Sequence, residues 1–240
     1  MLKPPPRYQL VTTDDGSQTL FSELFNEACH STAGARAETR FHYIEGCRLS
    51  ETLEIFDEIH ILEVGFGTGI GWLETLEFLK TYPHKKLKFI SLEMDEGLLE
   101  WSVPEAKKIS DHTYQLVDMN CELQVLIGDA RHTIKSLPTE FFHAIYQDAF
   151  SPKRNPTLWT HQWFTDLKRI AHESCTLATY SASVSIRKSL MKAGWSVYEG
   201  PAFAQKRSST RANLSGLMNE DFLSKLNTHT IMALDDKDFL

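Results

Sequence analysis

The stretch Ile59-His60-Ile61-Leu62-Glu63-Val64-Gly65-Phe66-Gly67-Thr68-Gly69 decides the fold. Its first six residues form a short apolar run that reads as a buried strand. Glycines at alternate positions then let the backbone turn tightly and approach a ligand closely. The dinucleotide fingerprint G-x-G-x-x-G needs a further glycine at position 70 or 72, and those positions hold Ile70 and Trp72. The pyrophosphate-binding pattern therefore fails from either starting glycine. What remains is an acidic residue followed by G-x-G-x-G at a strand end. A carboxylate beside such a loop suits a cationic ligand better than a phosphate.

Outward from this stretch, strands and helices alternate. Residues 71–80 read as a helix and 87–92 as a strand closed by Glu93. Residues 96–119 read as a helix-rich stretch interrupted by Pro104, and 122–127 as a strand. Residues 141–147 read as a strand ending at Asp148, 156–171 as a helix, 174–180 as a strand and 184–193 as a helix closed by Gly194. Segments 195–198 and 203–206 look like a closing pair of strands. This alternation predicts an α/β fold with a mostly parallel sheet covered on both faces. Upstream, residues 22–49 read as a broken helix, interrupted over 30–35, with a second helix over 37–47. The expected organisation is an N-terminal appendage or lid (1–50), a Rossmann-like core (51–207) and a polar tail (208–240) with one short helix over 220–226.

Composition narrows the class. The chain has 240 residues, 42% hydrophobic and 24% charged, which is ordinary globular usage with enough length for a sizeable core. No apolar run reaches the roughly 18 residues of a membrane span. The N-terminal Met1-Leu2-Lys3-Pro4-Pro5-Pro6 lacks the apolar region of a secretory signal, so the cytoplasm is the expected location. Cys29, Cys47, Cys121 and Cys175 have neither C-x-x-C nor zinc-finger spacing, so free thiols and no metal site are expected. A net charge of −7 argues against broad, nonspecific nucleic-acid binding. Local basic clusters stand out nonetheless: Lys153-Arg154, Arg187-Lys188 with Lys192, and Lys206-Arg207 with Arg211.

Acidic residues recur at the strand ends. Glu93 ends the second core strand, where a carboxylate accepts hydrogen bonds from ribose hydroxyls. Asp129, in Gly128-Asp129-Ala130 after the third strand, suits an adenine amino group through its carboxylate or through the backbone at Asp129 and Ala130; the same residue equally suits a helix N-cap. Glu63, Gly65, Gly67 and Gly69 complete this candidate cofactor edge. After the fourth strand comes Tyr146-Gln147-Asp148-Ala149-Phe150-Ser151-Pro152-Lys153-Arg154-Asn155-Pro156. Asp148 stands where chemistry is expected, Phe150 offers a flat face to a base, and Lys153 and Arg154 can meet phosphates. Trp159 and Trp163 read as core. Tyr180, after the fifth strand, either orients a substrate amine or packs.

These residues resemble a known family. The chain is similar, over residues 15–207, to the methyltransferase half of the bacterial MnmC proteins, the tRNA 5-methylaminomethyl-2-thiouridine biosynthesis family. The likeness is carried by Asp15-Gly16-Ser17 with Thr19-Leu20, Phe25-Asn26-Glu27 with His30-Ser31 and Gly34-Ala35, Glu38-Thr39-Arg40, and the glycine loop. It continues in Asp148-Ala149-Phe150-Ser151-Pro152-Lys153, Asn155-Pro156, Leu158-Trp159-Thr160, Thr179-Tyr180-Ser181 and Lys206-Arg207. The resemblance implies a class I S-adenosylmethionine-dependent methyltransferase (Rossmann-like) with an N-terminal appendage. It also implies methyl transfer to the aminomethyl nitrogen of a tRNA wobble uridine, in the anticodon stem-loop. Asp148 would orient the amine and help manage its proton, Phe150 would stack on the uracil, and Lys153, Arg154 and Arg187 would take phosphates. The appendage would close over S-adenosylmethionine, with Glu38 and His30-Ser31 reaching it. Members of the family often carry an FAD-dependent oxidoreductase domain for which 240 residues leave no room. A standalone methyltransferase is expected, with a separate enzyme supplying the aminomethyl group. Tyr146 and Gln147 depart from the apolar residues expected before the aspartate, and Gly200-Pro201-Ala202-Phe203-Ala204-Gln205 is less glycine-rich than the family pattern.

Other readings stay open on the residues alone. An aminopropyltransferase or small-amine methyltransferase on the same fold would also use an acidic cleft and an amine nucleophile. A noncatalytic module is disfavoured because Glu63, Glu93, Asp129 and Asp148 are all present. A nicotinamide enzyme is disfavoured by the glycine spacing, and Ser-His-Asp hydrolysis by the absence of a G-x-S-x-G elbow.

Overall fold

The computed structural model describes residues 3–14, 16–30, 34–203 and 208–239. Its first element is a small antiparallel sheet of β1 (Tyr8–Thr12), β2 (Gln18–Ser22) and β3 (Glu27–Ala28). The helix expected from residue 22 therefore does not form there. Asn26 takes a left-handed φ of 48° in the turn before β3, a conformation no α-helix contains. Phe25 turns out of that loop to stack on Phe150, 4.3 Å between ring centroids. The helical part of the appendage is shorter than expected: α1 (Ala35–Thr39), a π-helical turn (Arg40–Ile44), then α2 (Leu49–Ile55). Asp15, Ser31, Lys206 and Arg207, named above for the family likeness, lie outside the described residues.

The core then alternates through β4 (Glu58–Val64), α3 (Ile70–Leu79), β5 (Lys86–Glu93), α4 (Glu96–Ser102), β6 (Lys107–Ser110), β7 (Thr113–Asp118), β8 (Cys121–Ile127) and α5 (Ala130–Thr133). It continues with β9 (Phe142–Gln147), α6 (His161–Ile170), β10 (Ala171–Thr179), α7 (Val184–Lys192), β11 (Ser196–Gly200), β12 (Ser209–Asn213) and α8 (Glu220–Thr228). Among the described residues the large sheet has the order β11-β12-β10-β9-β4-β5-β8-β7-β6. Strands β10, β9, β4, β5 and β8 are mutually parallel. Each sheet face is buried. Leu62, Val64, Phe142 and Ile145 pack with Trp159, Trp163 and Trp195 on one side. Ile59, Ile61, Phe89 and Tyr146 pack with Trp72 and Leu99 on the other. Two covered faces explain why the central strands read as unbroken apolar runs. Trp159 and Trp163 are core, as expected. The chain winds from β4 to β5 on one side and later returns to β9 on the other, which opens a crevice at the carboxyl ends of β4 and β9.

Three expectations from the sequence need correction. Residues 105–119 are not helical: α4 stops at Ser102, and β6 and β7 form an antiparallel hairpin that extends the sheet beyond β8. Thr113, Tyr114 and Val117 favour the pleat, Tyr114 is buried against the core, and Lys107 and Lys108 on the outer strand discourage edge pairing. The helix expected over 156–171 is a short 3₁₀ turn (Pro156–Trp159) followed by α6, which Thr160 caps by accepting from the Trp163 N–H at 3.2 Å. The second closing strand is β12, not 203–206, of which 204–206 lie outside the described residues. β12 pairs with both β10 and β11, so the core sheet runs past the boundary drawn at 207. Part of the tail also packs on the core, through Leu214, Met218, Phe222 and Leu234.

Candidate functional site

A cavity of about 700 Å³ opens at the carboxyl ends of the central strands. Its floor is the glycine loop. Gly65 has a φ of 92° and Gly67 of 56°, both in the region that favours glycine. A Cβ on Gly65 would sit 3.0 Å from the Asp148 carbonyl oxygen, so the loop and the segment after β9 touch through backbone alone. Glu63 lies beneath this floor and does not line the cavity. Its buried carboxylate accepts from Ser91 Oγ at 2.8 Å and fills the space beside Gly71. Burial pushes its pKa well up, opposed by the Ser91 hydroxyl. Gly69 likewise stands behind the wall, against the Phe66 ring.

Glu93 faces the cavity from the end of β5. One oxygen accepts the Phe66 and Gly67 N–H groups, each at 3.1 Å, and the other accepts Met94 and Asp95 at 2.7 and 2.9 Å. Burial raises its pKa, and these backbone donors oppose the rise by favouring the charged form. Asp129 and Ala130 line the cavity after β8. Asp129 caps α5 by accepting the Arg131 N–H at 2.9 Å, and the Arg131 side chain pairs with it at 2.6 Å. The hydrogen bond from Arg131 lowers its pKa. Glu38, on α1, also faces in.

The loop after β9 is tied down residue by residue. Tyr43, on the π-helical turn, donates to Asp148. Tyr180 donates to the Ala149 carbonyl at 2.9 Å, and Trp159 Nε1 to the Phe150 carbonyl at 2.8 Å. Ser151 donates through its N–H and its hydroxyl to Glu27 at 3.0 and 2.8 Å. Gln147 is buried: it accepts from Trp163 Nε1 at 3.0 Å and donates to the Leu158 carbonyl at 2.9 Å, which accounts for a polar residue before the aspartate. Asp148, Phe150 and Tyr180 all line the cavity.

The appendage forms the opposite wall, with Tyr8, Phe25, Glu27, Cys29 and His30. His30 hydrogen-bonds Thr19 at 3.0 Å, and burial lowers its pKa to about 4 against the pull of Glu38. Burial, with the charges of Glu93 and Asp148, pushes the Cys29 thiol up to about 12. Reasoning from the strand ends missed Tyr8, Phe25, Glu27, Cys29, Arg131 and Tyr43. The signal for Phe25 and Glu27 was present in the N-terminal block of the family likeness.

The basic residues separate. Lys153 and Arg154 are exposed, next to the cavity-lining Asn155. Arg187 is not at this surface. Its guanidinium is buried against β12, donating to Thr210 Oγ1 at 3.1 Å, Ser208 Oγ at 3.0 Å and the Ser209 carbonyl at 2.9 Å. Burial lowers its pKa. An arginine in a basic run reads as solvated charge; here α7 turns it inward. Lys188 donates to the His229 carbonyl and Lys192 pairs with Asp235, so this run presents no continuous basic face. Among the described residues no group of His, Cys, Asp or Glu is arranged to hold a metal, and no helix is long and apolar enough to cross a membrane.

The sheet order and the acidic glycine crevice make this a class I, Rossmann-like methyltransferase fold. The chain belongs to the S-adenosyl-L-methionine-dependent methyltransferase family whose profile matches residues 91–215, and S-adenosylmethionine is its cofactor. It is 32% identical over 224 residues to the bifunctional MnmC protein of tRNA 5-methylaminomethyl-2-thiouridine biosynthesis from Aromatoleum aromaticum, covering 85% of this chain and 35% of that one. The corresponding protein of Ralstonia nicotianae is 31% identical over 218 residues, covering 81% of this chain and 33% of that one. The chain thus spans about a third of the length of the curated relatives it matches. The crystal structure of MnmC2 from Aquifex aeolicus superposes with a TM-score of 0.82 at 28% identity, covering 99% of this chain and 82% of that one. The family likeness read from the sequence is borne out. Spermidine synthase from Thermotoga maritima superposes with a TM-score of 0.60 at 12% identity over 98% of this chain and 80% of that one, a likeness of fold alone.

The residues present fit the cofactor. The cavity volume lies within the roughly 300–1,000 Å³ of small-molecule sites. Glu38, Glu93, Asp129 and Asp148 face it, a donor set that suits hydroxyls and cationic groups.

Proposed function

We propose that this chain methylates the primary amine of a 5-aminomethyl group on a tRNA wobble uridine, with or without 2-thiolation. The observation that carries the reading is the tethered Asp148-Ala149-Phe150-Ser151 loop, which puts a carboxylate and an aromatic ring on the lining of the same cavity as Glu93 and the glycine loop. The names of the MnmC relatives and the likeness to MnmC2 support the substrate class.

When bound, S-adenosylmethionine supplies an electrophilic methyl group, so that an N–C bond forms as the C–S bond breaks and its electron pair stays on sulfur. Gly65, Gly67, Glu93, Asp129, Ala130 and Glu38 would hold it, with Glu63 and Gly69 supporting the loop from behind. An alkylamine titrates near about 10.4 in lysine, so the substrate nitrogen arrives protonated. Asp148 orients that nitrogen and accepts its proton on the way to water, leaving the lone pair free to attack. A carboxylate by itself raises the amine pKa; burial in the cavity opposes this by disfavouring the ammonium. Phe25 already covers one face of Phe150, so uracil would stack on the other. Tyr180 holds the loop from beneath through Ala149. Lys153 and Arg154 take phosphates of the anticodon stem-loop. A separate enzyme supplies the aminomethyl group, and the reaction takes place in the cytoplasm, where tRNA is.

The test is methyl transfer to tRNA bearing 5-aminomethyluridine at the wobble position, read by mass spectrometry of digested nucleosides, with Asp148→Asn alongside. Methylaminomethyluridine formed by the unmutated chain, with at least a hundredfold loss in the variant, is expected on the order of magnitude of a lost acid–base and orienting group. Full turnover by Asp148→Asn at unchanged cofactor affinity would remove Asp148 from this role.

A further inference from the structure

We propose that Tyr43 is a positioning residue for methyl transfer: its phenol holds the Asp148 carboxylate in the orientation presented to the substrate amine. This rests on the role given to Asp148 above. Tyr43 sits on the π-helical turn Arg40–Ile44, and such wide turns gather at functional sites. Its hydroxyl donates to Asp148 Oδ1 and lies 3.5 Å from the Gln147 carbonyl oxygen. The ring is buried and stacks on Tyr146 with centroids 5.1 Å apart; the Tyr146 hydroxyl is paired with Thr75 at 3.2 Å. The phenol therefore has little freedom to swing away.

The turn that carries it is fixed from both ends. Arg36 and Arg40 both pair with the wholly buried carboxylate of Glu74 on α3. At the exit, Gly46 lies where a Cβ would fall 1.7 Å from the His42 carbonyl oxygen, so no other residue lets the chain close so tightly. The donor is thus in place before substrate arrives, and preorganised donors need no reorganisation during reaction. Packing alone would be served by phenylalanine. A buried hydroxyl is costly unless it is bonded, and this one is bonded to the carboxylate at the centre of the site. Burial and the Asp148 charge hold the Tyr43 pKa well above the ordinary phenol value, so it remains a donor throughout the neutral range.

Tyr180 after β10, Cys29 after β3 and Glu63 on β4 also sense the Asp148 charge, and Glu38 on α1 acts on Tyr43 itself. Tyr43→Phe leaves all four in place. The experiment measures Tyr43→Phe in the full chain, with S-adenosylmethionine and tRNA bearing 5-aminomethyluridine, beside Asp148→Asn. Loss of a hydrogen bond to a charged group predicts a kcat lower by about tenfold to a hundredfold, with cofactor Kd changed by less than about twofold. Removing a donor that favours the carboxylate also moves the acidic limb of the kcat/KM profile upward, by about one pH unit. A 3-fluorotyrosine at position 43, a stronger donor that keeps the ring, moves that limb downward and serves if the phenylalanine variant folds poorly. An unchanged pH profile in both variants, with Asp148→Asn inactive, overturns the role of Tyr43 alone. An active Asp148→Asn overturns the reading on which it rests.

Discussion

Gly71→Ala tests how the glycine loop is supported. Gly71 lies in the first turn of α3, and a Cβ there would fall 1.9 Å from Glu63 Oε1 and 3.0 Å from Glu63 Cδ. Real Cβ contacts below 3.0 Å essentially do not occur, so the carboxylate must withdraw by about 1.1 Å, the difference between 3.0 and 1.9 Å. Glu63 is buried and its other oxygen accepts from Ser91 at 2.8 Å, so withdrawal strains or breaks that bond. Overpacking costs about 1–3 kcal/mol, and a buried polar group left unpaired about 1–3 kcal/mol more, giving about 2–6 kcal/mol of destabilisation. Urea unfolding with an unchanged m-value would report it as a lower midpoint. Glu63→Ala empties the space, so the double variant should recover at least about 1 kcal/mol relative to the sum of the singles. Since α3 follows the loop that floors the cavity, cofactor affinity should fall with stability in Gly71→Ala. A Gly71→Ala chain within about 0.5 kcal/mol of wild type, or strictly additive variants, would refute this account of why glycine stands there.

Two further outcomes follow from charge and burial. Lys153→Ala with Arg154→Ala should weaken tRNA binding and reduce the magnitude of its salt slope by about 1–2 without lowering the unfolding midpoint, whereas Arg187→Met should leave the slope unchanged and destabilise the fold by about 2–4 kcal/mol. A slope that responds to Arg187 instead would return that residue to the substrate surface. His143 lies among His60, His172 and Glu58, and burial with the two histidines lowers its pKa from the ordinary 6.5 to about 4. Between those values the unfolded chain binds a proton that the folded chain does not, so its contribution to stability is full above about 6.5 and lost as pH falls toward about 4. His143→Gln should flatten the fall in urea midpoint over that window; an unchanged slope would show that His143 does not titrate this way.

The sequence by itself determined the parts whose signals are local. The buried strand before Gly65, the failed pyrophosphate spacing and the acidic residue at each strand end are each carried by a few neighbouring residues, and the α/β fold and the preference for a cationic ligand over a pyrophosphate were legible from them. The N-terminal block and the segment from Asp148 to Thr160 made the family legible as well. Tertiary structure decided what depends on partners distant in the chain. Glu27 meets Ser151 across 124 positions and Tyr43 meets Asp148 across 105, so no window of sequence contains either pair. Phe25 belongs to a helix-like apolar pattern but is drawn into a turn by its stack on Phe150. The β6–β7 hairpin forms because the edge of β8 offers a ladder to strands whose own pattern is weak. Arg187 looks like its solvated neighbours until β12, a polar segment in sequence, enters the sheet between β10 and β11 and, with Ser208 just before it, supplies the acceptors that satisfy the buried guanidinium.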